Sequence, residues 1–343
     1  MDLSKLYNKL PNGIKNSEKM TKYLMRVYKL VTKNNNSKEK PNELLNFLFK
    51  SSNITATGTL RDIQLIYIEL MRFIDNVCKK YDLEYCLAYG TLIGAVRHEG
   101  FIPWDDDFDI IMMRKDYNKL IEVLPEEINK YPKFKEICAL TRLVRMDKNY
   151  FEGFNSIYDF GHETYFLETG LSKSLFLQLG LVKPLVKLDI FPYDYVKEES
   201  IKHYEKNYLA TKYYFRGLYS NEDFSFEDEF NKRFNELGYT NEETNYIAEG
   251  VDSTYFDDFG VLPKDMIFPP KTIKFEDYEF KCPNNSHYAL KRWYGETYMN
   301  IPSDIRIHNY AEYNQTLFDS REEMNKSFKE TINLLKEIND NFD

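Results

Sequence analysis

The sequence predicts an α+β fold, a small mixed β-sheet core with flanking and inserted helices. Three observations carry this expectation. Strongly amphipathic helical segments occupy 59–81 and 320–341. Between them recur short apolar runs of strand length, at 84–89, 107–113 and 186–196. No internal repeat organises the 343 residues. With 43% hydrophobic and 16% aromatic residues, the chain has ample material for one large core or two modest ones.

The elements follow in order. "SEKMTKYLMRVYKLV" (17–31) places Met20, Tyr23, Leu24, Val27 and Val31 on one helical face. "TKNNNSKEKP" (32–41) is a polar linker, and "NELLNFLFK" is a short helix. Thr59 and Asp62 offer a capping-box-like start to the helix 59–81. "EYCLAY" (84–89) is a strand broken by Gly90, and 91–100 is a short helix ending in a turn. "DFDIIMM" (107–113) is the next strand and 114–124 a helix. Further strands are expected at 140–147, 154–158 and 186–196, and inserted helices across 197–262. "FPPKTIKFEDYEFKCP" (268–283) is a hairpin with Glu276 and Asp277 near its turn. A helix with a tight exit follows over 286–302. Ser320 and Glu323 open the last helix, whose apolar face is Met324, Phe328, Ile332, Leu335 and Ile338. Three regions result: a helical appendage (1–55), a main domain (56–315) and a C-terminal helix (316–343).

Composition excludes several classes. The four cysteines are scattered without CxxC spacing, which argues against a zinc ribbon or a disulfide framework and fits reduced cytoplasmic thiols. No run approaches 18 apolar residues, and the first residues lack a signal-peptide apolar region. A net charge of −9 argues against nucleic-acid binding. The charge is uneven, +7 over residues 1–50 and −16 over the rest. The basic segment is either a solvated lysine-rich helix or a peripheral contact with an anionic membrane at its inner face.

"YGTLIGAVRHEGFIPWDDDFDI" (89–110) concentrates the chemistry. On a strand, Asp107 and Asp109 share one side while Phe108, Ile110 and Met112 face the core. Two carboxylates at the edge of an apolar core suit a divalent cation, Mg²⁺ above all, with Mn²⁺ as an alternative. An acidic run is ordinarily a solvated loop, and a calcium loop would continue with glycine where Ile110 stands. A strand, Gly90-Thr91, a helix and then Asp-x-Asp on the next strand is the layout of nucleotidyltransferase-fold enzymes, in which helix N-terminal N–H groups hold phosphates. A third carboxylate is then needed. Asp189 in "KLDIFPYD", inside an apolar strand, supplies it; Asp194 is the weaker candidate, its other reading a stabiliser of a turn after Pro192.

The block 89–110, with "LDIFPYD", Phe268-Pro269 and "YGETYMNIP", resembles the LicD family, whose eukaryotic relatives include fukutin and fukutin-related protein. The resemblance runs over about residues 60–310. It implies a nucleotidyltransferase-type fold and transfer of a phosphorylated alcohol, phosphocholine in the bacterial setting, from a CDP-linked donor (CDP-choline or a CDP-polyol) to a hydroxyl of a cell-surface glycan, releasing CMP. Teichoic acid, capsule and lipopolysaccharide are the expected acceptor classes. It further implies that Asp107 and Asp109 bind the metal, that Asp105 either stands behind these ligands or completes the site, and that Asp189 is a ligand or the base for the acceptor hydroxyl.

Gly90, Thr91, Arg97, His98, Asp105 and Arg306 are the candidate substrate-binding residues. Arg97 is either a bidentate phosphate clamp or an ion-pair partner of the aspartates. His98 is a polar surface residue or a phosphate contact, and Thr91 a phosphate donor or a plain helix N-cap. Trp104 is read as a packing wedge. Arg306 touches donor phosphates or solvent. Tyrosines able to cage a quaternary ammonium are too numerous to single out. Two other readings share these residues: nucleotidyl transfer to a protein or small molecule, releasing pyrophosphate, and non-catalytic glycan or nucleotide binding.

Overall fold

The computed structural model describes residues 55–141, 177–204, 226–251, 260–300 and 310–342. The helices expected within 1–55, the strand at 154–158, Arg306 and parts of 197–262 lie outside them.

Helix α1 (Thr59–Tyr81) buries Ile63, Ile66, Tyr67, Leu70, Phe73, Ile74 and Val77, the stripe its 3.6-residue periodicity dictates. Its start differs from the expected capping box. Gly58 is the N-cap, with φ 65°, and no side chain caps the helix; the Gly58 carbonyl accepts from Asp62 N at 3.1 Å. Asp82, in the left-handed region, ends α1.

The sheet has eight strands, with the mixed character expected. They are β1 (Cys86–Leu87), β2 (Asp109–Met113), β3 (Cys138–Thr141), β4 (Leu177–Leu181), β5 (Val186–Val196), β6 (Tyr239–Thr240), β7 (Tyr246–Glu249) and β8 (Leu262–Pro263). The main order is β1-β2-β5-β4-β3, with β6 and β7 also on β5 and β8 on β7. Only β2 and β5 run parallel. β5 is the hub, changing partner along its length: β4 pairs through Ile190 and β7 takes over at Tyr193. Pro192, which cannot donate, sits in the changeover, where β4 has ended and β7 has not begun. The segment 197–262 was expected to be helical. Among its described residues a 3₁₀ turn (Glu198–Ser200), helical residues 201–204 and helix α5 (Phe226–Glu236) are joined by β6, β7 and β8. "YIAE" at 246–249 is too short for periodicity to separate strand from helix.

Helix α2 (Tyr89–His98) leaves β1 directly, and α3 (Arg114–Asn129) leaves β2. A short α4 (Pro132–Ile137) leads into β3. β9 (Lys271–Phe275) and β10 (Tyr278–Cys282) form the expected hairpin, with Glu276 and Asp277 as its turn. Arg61 of α1 grips Glu276 bidentately, at 2.7 and 2.6 Å. Helices α6 (Ser286–Tyr294), α7 (Tyr310–Thr316) and α8 (Arg321–Asp340) complete the chain. Ser320 Oγ accepts from Glu323 N at 3.1 Å while Glu323 Oε2 accepts from Asp319 N, an N-terminal box where one was expected. α8 lies along α1: Asn339 Nδ2 donates to the Glu69 carbonyl at 2.8 Å, and Arg72 pairs with Asp340 at 2.8 Å. No helix among the described residues is long and apolar enough to cross a membrane.

Candidate active site

The acidic loop is held from below by α1. Gln64 Nε2 donates to the Asp105 carbonyl at 2.9 Å, and Tyr67 Oη to the Asp106 carbonyl at 3.1 Å. Trp104, partly buried, packs against the core beside them, as a wedge would. Of the four aspartates, Asp106 turns away into the protein, where its Oδ2 accepts from Tyr310 N at 3.0 Å. The other three face the space beside α2. A Cβ built on Gly90 would lie 3.3 Å from Asp105 Oδ2 and 4.0 Å from Asp107 Oδ1. The loop carboxylates therefore lean over the first turn of α2, whose amino end carries positive partial charge. Tyr89, just before Gly90, has φ 45°, a conformation that costs a side-chain-bearing residue about 1–3 kcal/mol. Its ring is fixed by Phe191 and Trp293, and its hydroxyl meets that of Tyr193 at 3.2 Å.

β2 begins at Asp109, two residues later than expected, although the Phe108 carbonyl already accepts from Asp189 N at 2.9 Å. Asp109 is directly opposite Asp189 on β5, and Asp189 is opposite Gln178 on β4. Opposed residues share a sheet face, so three polar side chains form a row across the sheet. Gln178 Nε2 donates to Asp189 Oδ1 at 2.7 Å, and Lys187 Nζ lies 3.9 Å from the same oxygen.

Asp105, Asp107, Asp109 and Asp189 lie near enough for their charges to act on one another in sequence, Asp105 with Asp107 and Asp109, and Asp109 with Asp107 and Asp189. Burial holds the Asp105 carboxyl well above the usual carboxylate range, followed by the charge of Asp107 and a hydrogen bond with it. Burial likewise raises Asp109, helped by the charges of Asp107 and Asp189 and opposed by Lys187. Asp105 Oδ2 is inaccessible and meets no hydrogen-bond partner among the described residues. Acceptor-only oxygens, mutual repulsion and an orphaned carboxylate oxygen are the chemistry that a hard divalent cation satisfies. Among the described residues, no three His, Cys, Asp or Glu side chains already surround one point. The group offers donors for a cation without a preformed three-carboxylate cage.

The flanking candidates separate from this group. Thr91 is neither an N-cap nor turned wholly to a ligand: the N-cap is Ala88, and Thr91 Oγ1 accepts from Asp109 N at 2.9 Å, tying α2 to β2. Arg97 reaches backbone rather than carboxylate, donating to the Tyr298 and Asn300 carbonyls at 3.3 and 3.1 Å and to His98 Nε2 at 3.0 Å. Burial lowers it to about 10, against the charge of Asp105. His98 is not a free surface residue; burial and then the Arg97 charge lower it to about 3, so it is neutral. Asp194 lies within β5 rather than at a turn, fully buried and clamped bidentately by Arg114 at 2.8 and 2.6 Å. Gln178, Lys187 and the buried Glu249, whose charge also raises Asp109, are additions the sequence reading missed. Lys187 was within reach, two residues before Asp189 on one strand face. Gln178 and Glu249 required the strand pairing.

Residues 82–160 match the LicD/FKTN/FKRP nucleotidyltransferase domain. The lipopolysaccharide cholinephosphotransferase LicD of Haemophilus influenzae is 42% identical over 73 residues, 21% of this chain and 28% of that protein. An uncharacterized protein of Rickettsia prowazekii is 38% identical over 92 residues, 24% of this chain and 35% of its own. The matches therefore span about a third or less of these relatives.

Proposed function

We propose, from the premise that the chain carries a LicD-type domain, that it transfers a phosphorylated alcohol, phosphocholine first, from a CDP-linked donor to a hydroxyl of a cell-surface glycan. The observation that carries this reading is the meeting of Asp105, Asp107, Asp109 and Asp189 beside the first turn of α2. The name of the Haemophilus relative favours phosphocholine as cargo and lipopolysaccharide as acceptor class.

Asp107 and Asp109 would hold Mg²⁺, with Asp105 beside them. The bound ion would offset the charge of a diphosphate and orient it. The acceptor oxygen forms a bond to the phosphorus that bears the alcohol. The bond from that phosphorus to the bridging oxygen breaks, and CMP leaves with the bridging oxygen. Asp189, on the neighbouring strand, would take the acceptor's proton or join the ligands. Gly90, by lacking a Cβ, leaves the space under Asp105 and Asp107 open. Arg97 contributes by bracing the segment at 298–300 against α2.

The test is CMP release from CDP-choline, CDP-ribitol and CDP-glycerol with a lipopolysaccharide or mixed glycan acceptor, in Mg²⁺ or in EDTA. Expected is Mg²⁺-dependent release from one donor, abolished in folded Asp107→Ala and Asp109→Ala proteins. Undiminished turnover in either variant refutes the metal assignment. The nucleotidyltransferase domain description favours one other reading, and pyrophosphate release from a nucleoside triphosphate would select it.

A further inference from the structure

We propose that Gln178 is a positioning residue, which fixes one oxygen of Asp189 and so sets the direction of the other. The inference deepens the phosphotransferase reading and rests on Asp189 belonging to that site.

β4 reads Leu177, Gln178, Leu179, Gly180, Leu181, and all five residues are buried. Gln178 is the one residue of this strand with a polar side chain, at 7% exposure. An amide buried there costs free energy unless its donors and acceptors are met, and an aliphatic side chain would pack at lower cost. Cross-strand register places it directly opposite Asp189, to whose Oδ1 it donates at 2.7 Å. Lys187, two residues before Asp189 and on the same face, puts its ammonium 3.9 Å from that same oxygen. One oxygen of the carboxylate is thus held from two sides, by a neutral donor on the neighbouring strand and a cation on its own.

A carboxylate has only its χ torsions with which to turn. Fixing Oδ1 toward β4 leaves Oδ2 a narrow range of directions. Gln178 reaches the site through its hydrogen bond to Asp189.

The variants are Gln178→Leu and Gln178→Met, which remove the donor and keep the bulk. Each is compared with wild type in thermal melting, in Mn²⁺ affinity without donor, and in kcat and KM for the CDP-linked donor. Loss of a partner that orients a ligand or catalytic group costs about 10–100-fold in metal affinity or activity. The expected result is such a fall in Mn²⁺ affinity or in kcat, with donor KM within about twofold and melting near wild type. A fall in affinity makes Asp189 a ligand; a fall in kcat alone makes it the proton acceptor; both support the positioning role. Mn²⁺ affinity and kcat both within about twofold of wild type in a folded variant overturn it. Loss of native melting in both variants also overturns it, by making Gln178 structural. Wild-type protein that binds Mn²⁺ yet releases no CMP from any donor refutes the phosphotransferase reading, and Mn²⁺ affinity alone then decides on Gln178: a fall of about 10–100-fold supports the positioning role and an unchanged affinity overturns it.

Discussion

Replacing Asp109 by Asn should stabilise the metal-free protein while destroying its activity. Asp109 is 8% exposed and sits between the charges of Asp107 and Asp189, with Lys187 opposing them. Two unit charges about 5 Å apart at an effective dielectric near 20 repel by roughly 3 kcal/mol. Partial exposure of Asp107 and Asp189 screens this, so about 1–2 kcal/mol is expected on removing the charge. The Asn amide can also donate to the neighbouring carboxylates, a bond the ionised aspartate cannot make. That is a rise in Tm of about 2–4 °C per kcal/mol by the scaling of domains of 150–250 residues. The effect has a pH signature. A carboxyl raised in the folded state binds more protons folded than unfolded, so wild type loses stability as pH rises from its ordinary value of 3.8 through the raised one. The advantage of Asp109→Asn is therefore absent below about pH 3.8 and grows above it. Differential scanning calorimetry in EDTA at several pH values measures it. Adding Mg²⁺ should reverse the order, raising the wild-type Tm and leaving the variant unmoved. A variant that melts below wild type in EDTA at neutral pH, or a difference independent of pH, refutes the account of strained carboxylates.

Other sites give sharper structural tests. His98, held neutral with its pKa near 3, lowers stability as pH falls below its ordinary 6.5, by up to about 1.4 kcal/mol per pH unit. Denaturant unfolding of wild type and His98→Gln at pH 7 and 5 should show wild type losing more, and parallel losses would disprove it. Arg114→Met strands the buried Asp194 carboxylate and should cost about 3–5 kcal/mol, again read by unfolding. A cost below about 1 kcal/mol would mean Asp194 finds another partner. At Gly94 an added Cβ would lie 2.5 Å from the Gly100 carbonyl oxygen and 3.1 Å from Ile102 N. Gly94→Ala should therefore cost about 1–3 kcal/mol and shift the loop that leads to the aspartates. An unchanged Tm would mean that the crossing has slack.

What could be read from residues alone follows a physical division. Asp107, Asp109 and Asp189 were legible because charged residues beside apolar runs are costly and therefore conspicuous. The helices at 59–81 and 320–341 were legible because their faces repeat over five or more turns. Gln178 was not, because a lone polar residue in a five-residue strand carries no period, and its meaning depends on which strand lies opposite. Thr91 illustrates another limit. An N-cap and a tether to the next strand need the same hydroxyl at the same place in sequence, and only the position of Asp109 N separates them. Arg97 looked like a partner for anions because its charge was visible and the carbonyls of residues 298 and 300 were not. The strands at 239–263 were missed because two- and four-residue strands are recruited by their neighbours, β6 and β7 by β5 and β8 by β7, rather than by their own pattern.

The contact between α8 and α1 has a consequence for the timing of synthesis. Gln64 and Tyr67, which support the acidic loop, lie on α1, and the buried face of α8 covers that helix only after residues 321–340 have left the ribosome. A nascent chain has its aspartate block exposed for more than 200 residues of elongation before α1 receives this cover. At about 5–20 residues per second, that is tens of seconds during which the carboxylates exist without their final support. Ribosome-bound chains halted just before and just after α8 would differ in protease resistance at α1, the segment on which the loop rests.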